Sequence, residues 1–260
     1  MDWRLGVVGS PIAHSLSPQL HARGLELAGL GGSTRRYELD EEHAGELREL
    51  MGTTFDALSV TMPLKAVAAT LCDDVDDRAA ALGVVNSLLW REGRLHGAAT
   101  DGPGFTDSLR GEFSVEVENM HVVVIGAGGA ATAIVDSLVD EGVQSVVVHA
   151  RNEERVRRIV QRHANVVDHM VLYRPVDLVV NTTPAPGRRD DVAVMQGVSR
   201  DTIAVDITYE PRTSPWLALH ADLGCPHTNG LAMLAYQAAR QMNWWWGSSL
   251  RGSQLLEVLR

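Results

Sequence analysis

Among the 23 basic side chains of this 260-residue chain, Lys65 is the only lysine and the other 22 are arginine. Codon usage explains an excess of arginine but not the single exception. Lys65 ends the segment Val60-Thr61-Met62-Pro63-Leu64-Lys65. A proline is expected in the first turn of a helix, so the ammonium falls at or near a helix N-terminus. The helix dipole disfavours a cation there by ~0.3–1 kcal/mol. The residue kept against that penalty is the one that can hand over a proton, which a guanidinium of fixed charge cannot do. General acid–base chemistry is the role this placement suits.

Polar residues gather in three clusters at or just beyond strand ends, where open α/β sheets hold their ligands. They are His14-Ser15-Leu16-Ser17, then Ser59-Val60-Thr61 with Lys65, and Asn86 with Thr100-Asp101. Hydroxyls, an amide, an ammonium and a carboxylate converging on one cleft suit a small polyhydroxylated acid. No spacing of the ten histidines or of Cys72 and Cys225 matches a metal site. His14 and His21 are expected to cap and pack, and Asp73-Asp74-Val75-Asp76-Asp77 to solvate a helix start.

A second chemical signal is Gly126-Ala127-Gly128-Gly129-Ala130-Ala131, a G-x-G-x-x-A turn directly after the apolar run Val122-Val123-Val124-Ile125. Gly126 permits the tight turn, Gly128 lets the backbone approach a pyrophosphate, and Ala131 allows close helix–strand packing. The helix that follows presents free N–H groups to phosphate. An NAD site places a carboxylate at the end of the next strand, about 20 residues on. This chain has His149-Ala150-Arg151-Asn152 there, with Arg155 one turn later. Guanidinium forks suit a 2′-phosphate, so NADP(H) is expected rather than NAD(H).

The elements that must position these groups read as an α/β chain, since short apolar runs alternate with longer helical patterns. Leu5–Gly9 is a strand that stops at Ser10-Pro11, and a helix follows with Ser17 as N-cap and Pro18 in its first position. Ala57–Val60 is a second strand, followed by a helix from about Leu64. Gly, Pro and small residues cluster from Gly97 to Gly104, which marks a domain boundary. Beyond it, Val122–Ile125, Val146–Val148, Leu178–Val180 and Ile203–Val205 are continuous apolar runs, as strands buried on both faces require. Helical spacing returns from Asn229, and Trp244-Trp245-Trp246 is expected to join the core. A net charge of −10 excludes a general nucleic-acid binder. No apolar run approaches the ~18 residues of a membrane span. The N-terminus lacks a signal-peptide layout and the cysteines lack partner spacing, so the expected setting is cytoplasmic.

These residues together resemble the shikimate dehydrogenase family. Gly9-Ser10-Pro11-Ile12-Ala13-His14-Ser15-Leu16-Ser17-Pro18-Gln19-Leu20-His21 is similar to its N-terminal signature. Val60–Lys65 resembles its V-T-x-P-x-K, Gly83–Ser87 its G-A-V-N-T, and Thr100-Asp101-Gly102 its N-T-D-G. Asp206-Ile207-Thr208-Tyr209 and Gly230-Leu231-Ala232-Met233-Leu234 with Gln237-Ala238 resemble its two last blocks. The resemblance implies an N-terminal α/β substrate domain over residues 1–101, completed by helices of residues 229–260. A Rossmann-like NADP-binding domain over residues 102–228 would lie across a cleft from it. It also implies reversible NADPH-dependent reduction of 3-dehydroshikimate to shikimate, with Lys65 and Asp101 as the catalytic pair. Ser15, Ser17, Ser59, Thr61, Asn86 and Gln237 would hold the substrate, with Tyr209 nearby. The cofactor would meet Gly126, Ala127, Gly128, Gly129, Ala130, Ala131, Arg151, Asn152, Arg155, Thr182 and Gly230. The chain departs from the family pattern where Ser59, Ala99, Ala22 and Ala150 each stand in place of the usual asparagine, and where Asn181-Thr182-Thr183-Pro184 differs from the usual N-A-T-S. A quinate/shikimate or aminoshikimate-type paralogue is therefore the alternative. A catalytically silent NADP-binding relative is disfavoured by the presence of both Lys65 and Asp101. The protein is expected to be a monomer or a homodimer.

Overall fold

The apolar runs become the central strands of two sheets. The computed structural model describes residues 2–163, 166–167, 175–183 and 197–260. The chain divides into two compact units, Met1–Gly104 with Leu234–Arg260, and Phe105–Met233.

The first unit begins with β1 (Trp3–Gly9), α1 (Ser17–Ala28), β2 (Gly32–Glu38), α2 (Glu46–Leu50), β3 (Ala57–Val60) and α3 (Lys65–Leu71). It continues with β4 (Asp74–Val75), α4 (Asp77–Leu82), β5 (Ser87–Arg91) and β6 (Arg94–Ala98), and α5 (Asp101–Phe113) follows. Its six-stranded sheet has the order β2-β1-β3-β5-β6-β4. β1 runs parallel to β2 and β3, whereas β5 is antiparallel to both β3 and β6. The β5–β6 hairpin was not anticipated from apolar runs. Its sign is the dipeptide Glu92-Gly93, whose φ values of 54° and 74° make the tight two-residue turn between the paired Arg91 and Arg94. Val8, Phe55, Leu58, Leu88 and Leu95 fill the core on one face.

Three local expectations are corrected. The N-cap of α1 is Leu16, not Ser17, and Pro18 falls one position later in the first turn. Pro63 lies before α3, whose N-cap is Leu64, so Lys65 itself is the first helical residue. Within the aspartate run only Asp76 caps a helix, accepting from the Ala79 N–H at 2.6 Å, while Asp73 and Asp74 meet Arg48 and Arg94.

The second unit contains β7 (His121–Ile125), α6 (Gly129–Asp140), β8 (Ser145–His149), α7 (Glu153–Val160), β9 (Val166–Val167), β10 (Leu178–Asn181), β11 (Ile203–Asp206), α8 (Pro215–Asp222) and β12 (His227–Asn229). α9 (Gly230–Trp246) and α10 (Gly252–Leu256) complete the chain. Among the described residues the sheet is wholly parallel, with the order β12-β11-β10-β7-β8-β9. This is the doubly wound arrangement, and its strand order reverses between β7 and β10. Val122, Val124, Val146 and Val180 enter one apolar cluster while Val123, Ile125, Val147 and Val179 enter another. Both faces are thus covered, which is why these strands read as unbroken apolar runs rather than alternating ones. Trp245 is 1 % exposed and its ring meets His21 edge-on at 5.3 Å, so the tryptophan cluster does supply core. Among the described residues no helix is long and apolar enough to cross a membrane.

Candidate active site

Antiparallel pairing of β5 is what assembles the first site. The start of β5 lies beside the end of β3, where the Val60 N–H donates to the Asn86 carbonyl at 2.8 Å. The end of β6 returns to the same edge, and the Asn86 N–H donates to Ala98 O at 3.1 Å. Lys65 on the first turn after β3 and Asp101 on the first turn after β6 are thereby brought together. Lys65 Nζ stands 2.5 Å from Asp101 Oδ2, with the two side chains 23 % and 15 % exposed. Most of their surface is withdrawn from water, yet both remain reachable by a ligand.

Asn86 braces the other carboxylate oxygen, donating from Nδ2 to Asp101 Oδ1 at 2.9 Å. The same amide reaches Gln237 Oε1 at 3.0 Å, while Asn86 Oδ1 accepts from the Thr100 N–H at 2.7 Å. Gly104, three residues after Asp101, is required here because a Cβ would stand 2.4 Å from that of Gln237. The carboxylate therefore has one oxygen on an amide and the other on an ammonium, a pair held in contact rather than solvated apart.

The Ser15–Ser17 loop follows β1, whose end is tied to the Thr61–Met62 turn by Ser10 N–H to Met62 O and Thr61 N–H to Val8 O. Ser15 Oγ and Ser17 Oγ lie 3.3 Å apart, and Arg36 on β2 donates twice to the Ser15 carbonyl, at 2.6 and 3.0 Å. Ser59 behaves differently from the ligand it was expected to be. It is 5 % exposed, its one proton is donated to Gln241 Oε1 at 2.7 Å, and His21 Nε2 lies 2.9 Å from its oxygen. Its hydroxyl is committed inside the protein. Sequence reasoning missed Gln241 altogether; the available signal was its spacing of four from Gln237 on α9, which puts both on one face.

His21 is completely buried and burial pushes its pKa from 6.5 down to about 3. The imidazole is neutral when folded, so the unfolded chain takes up the extra proton between pH 6.5 and 3. Its contribution to stability is complete above pH 6.5 and declines by about 1.4 kcal/mol per pH unit as pH falls through that window. Urea unfolding of wild type and His21→Gln at pH 7 and pH 5 should show the wild type losing more stability on acidification. Equal losses would show that His21 carries no such linkage.

In the second unit, the glycine-rich turn sits at the end of β7, at the reversal of strand order. Gly126 has φ +115°, and a Cβ there would stand 2.2 Å from Thr182 Oγ1. Gly128 is the N-cap of the twelve-residue α6, and a Cβ on Gly128 or Gly129 would meet nothing within 4 Å. Ala131 is fully buried in the core and Ala127 packs against the same cluster, while Ala130 is half-buried at the helix start. The open face over Gly128–Gly129 and the exposed N–H groups of α6 fit a pyrophosphate.

Arg151 and Arg155, both exposed, have no carboxylate partner among the described residues. Their neighbours differ: Arg157 and Arg158 pair with Glu153 and Glu154 one turn back, at 3.1 and 2.5 Å. The first two guanidinium groups could hold a 2′-phosphate, whereas the second two are already paired. Three residues expected at the cofactor also have internal partners. Asn152 caps α7 by accepting from the Arg155 N–H at 3.0 Å. Thr182 donates its hydroxyl to Ile125 O at 2.8 Å. Gly230 donates its N–H to Thr208 O at 2.9 Å, and a Cβ on it would stand 1.9 Å from Ile207 O. Tyr209 is half-buried, on a loop braced by the buried Asp206 carboxylate, which accepts from Thr208 and from Ser214 at 2.8 and 2.5 Å.

Comparison with known proteins gives a consistent set of relatives. Two family models match, the shikimate dehydrogenase substrate binding domain at residues 7–88 and shikimate / quinate 5-dehydrogenase at residues 109–213. A shikimate dehydrogenase (NADP(+)) of Roseobacter denitrificans is 35% identical over 93% of this chain and 91% of its own length. One from an Exiguobacterium species is 33% identical over 98% of both. The crystal structure of a Thermus thermophilus shikimate 5-dehydrogenase in complex with NADP(H) and shikimate superposes with a TM-score of 0.87, at 31% identity and 98% coverage of each chain.

Proposed function

Because the chain belongs to the shikimate dehydrogenase family, we propose that it catalyses the reversible NADP(H)-dependent reduction of 3-dehydroshikimate to shikimate. The observation that carries the reading is the contact between Lys65 Nζ and Asp101 Oδ2 at 2.5 Å, on a carboxylate whose other oxygen Asn86 holds. NADP(H), when bound, supplies or accepts the hydride. The Lys65 ammonium donates the proton that the reduced C3 oxygen requires, and the neutral amine takes it back in the oxidative direction. Asp101 fixes the ammonium and accepts a hydrogen bond from the C3 hydroxyl, which lowers the reorganisation needed as the proton moves.

The first unit takes the substrate in this reading. Ser15 and Ser17 hydroxyls hold the carboxylate, and Thr61, Asn86 and Gln237 hold ring hydroxyls. The second unit takes the cofactor, with the pyrophosphate on Gly126–Ala131 and the 2′-phosphate on Arg151 and Arg155. The deciding experiment assays purified protein with shikimate and quinate, each with NADP+ and NAD+. Turnover of shikimate with NADP+ is expected to dominate the four combinations. Oxidation of quinate with NAD+ alone would overturn the assignment.

A further inference from the structure

One chain of hydrogen bonds runs from Thr34 on β2 to the Asp101 carboxylate, and its direction is fixed at one end. Gln241 Nε2 lies 2.8 Å from the Asn86 backbone oxygen, which only accepts, so the Gln241 amide is oriented with Oε1 toward Ser59. Oε1 only accepts in turn, so the Ser59 hydroxyl donates to it and must itself receive from His21 Nε2–H. A neutral His21 with its proton on Nε2 then accepts at Nδ1 from the Thr34 hydroxyl at 3.2 Å. His21, Ser59, Asn86 and Gln241 are 0 %, 5 %, 3 % and 1 % exposed, so water does not substitute for a missing member.

The helix that carries Gln241 grips Asn86 twice. Gln237, one turn earlier on α9, meets the Asn86 side-chain amide at 3.0 Å, and Gln241 meets its main chain. Asn86 is also the residue that holds Asp101 Oδ1. We propose that Gln241 is a positioning residue for the reaction: through the Asn86 main chain it sets the direction of the amide that aims the Asp101 carboxylate at Lys65. Ser59, His21 and Thr34 hold Gln241 in the one orientation that can do this. The proposal rests on the reading of Lys65 and Asp101 as the catalytic pair. The titratable groups joined to this chain are His21 at one end and the Lys65–Asp101 pair at the other.

Two variants test it, alongside wild type and Lys65→Ala. Gln241→Met keeps length and volume but donates nothing to Asn86. It is expected to lower kcat by about ten-fold, the equivalent of one hydrogen bond, with the KM for shikimate little changed. Gln241→Glu is the conservative rescue. Its protonated carboxyl can donate to Asn86 O and accept from Ser59, whereas its ionised form can only accept. The ratio of its kcat to that of wild type is therefore expected to rise as pH is lowered and to fall as pH is raised. Wild-type kcat in Gln241→Met, or a Gln241→Glu ratio that does not change with pH, overturns the proposal. If Gln241→Met fails to fold by its thermal transition, the Gln241→Glu ratio decides alone. Absence of shikimate turnover in the wild type would instead overturn the underlying assignment of function, so the two failures are distinguishable.

Discussion

Replacing Lys65 with arginine is expected to cost as much turnover as replacing it with alanine. Arginine restores a cation opposite Asp101, whose side chain is 15 % exposed, and so preserves the ion pair. It does not restore a side chain that can hand over a proton, because the guanidinium charge is fixed. If Lys65 acts by proton transfer, both substitutions lower kcat by about 10²–10⁴-fold, the usual range for removing a general acid or base. The KM for shikimate should stay within a few-fold in Lys65→Arg, because the charge beside the ring oxygens is kept. Steady-state kinetics in the oxidative direction, with thermal unfolding as a control for folding, make the comparison. A Lys65→Arg variant within ten-fold of wild-type kcat would mean that the residue works as a fixed charge and not as a proton carrier. The composition of the chain agrees with that expectation: codon usage can turn lysines into arginines wherever only charge or solubility is needed, and Lys65 would be the position where that exchange fails.

The second large effect concerns the cofactor. Arg151 and Arg155 lack carboxylate partners among the described residues, whereas Arg157 and Arg158 are engaged with Glu153 and Glu154. Each free guanidinium is available for a charge-assisted hydrogen bond to the 2′-phosphate. Because both sites are exposed and screened by salt, about ten-fold in affinity for each is the appropriate scale. The double variant Arg151→Ala/Arg155→Ala is expected to raise the KM for NADP+ by about 100-fold and leave that for NAD+ nearly unchanged. Arg157→Ala/Arg158→Ala, which removes the paired arginines, should alter neither. KM values for both cofactors at two salt concentrations are the measurement, since the arginine contribution also weakens as salt rises. A parallel increase for NADP+ and NAD+ would place the two arginines on a part of the cofactor common to both.

The parts of this protein legible in the sequence are those set by local chemistry. The wholly parallel sheet was announced by its continuous apolar runs, because strands covered on both faces cannot alternate. The Gly126–Ala131 turn was announced by its glycines, because tight turning and close approach of backbone leave no room for a side chain at Gly126. Lys65 was announced by being the sole lysine. The β5–β6 hairpin was less legible, since its only strong mark is Glu92-Gly93, yet that hairpin is what turns the chain back and brings Asn86 and Asp101 to the end of β3.

Other roles depended on which side chain reaches which partner, and that is a property of tertiary structure alone. Ser59 looked like a substrate ligand from its place before Val60-Thr61. Folding puts it against His21 and against Gln241, which is 182 positions away, and uses up its proton. Asn152, Thr182 and Gly230, expected at the cofactor, also serve a helix cap, a strand end and a close backbone contact that their motifs do not reveal. The sequence by itself determined which chemistry the chain carries, because residue types and short-range spacing fix the reactive groups and the turns that expose them. Only the tertiary structure decided which of those polar groups remain available to ligands. A buried hydroxyl or amide must find a partner within hydrogen-bond reach, and that partner is chosen by packing between segments far apart in the chain.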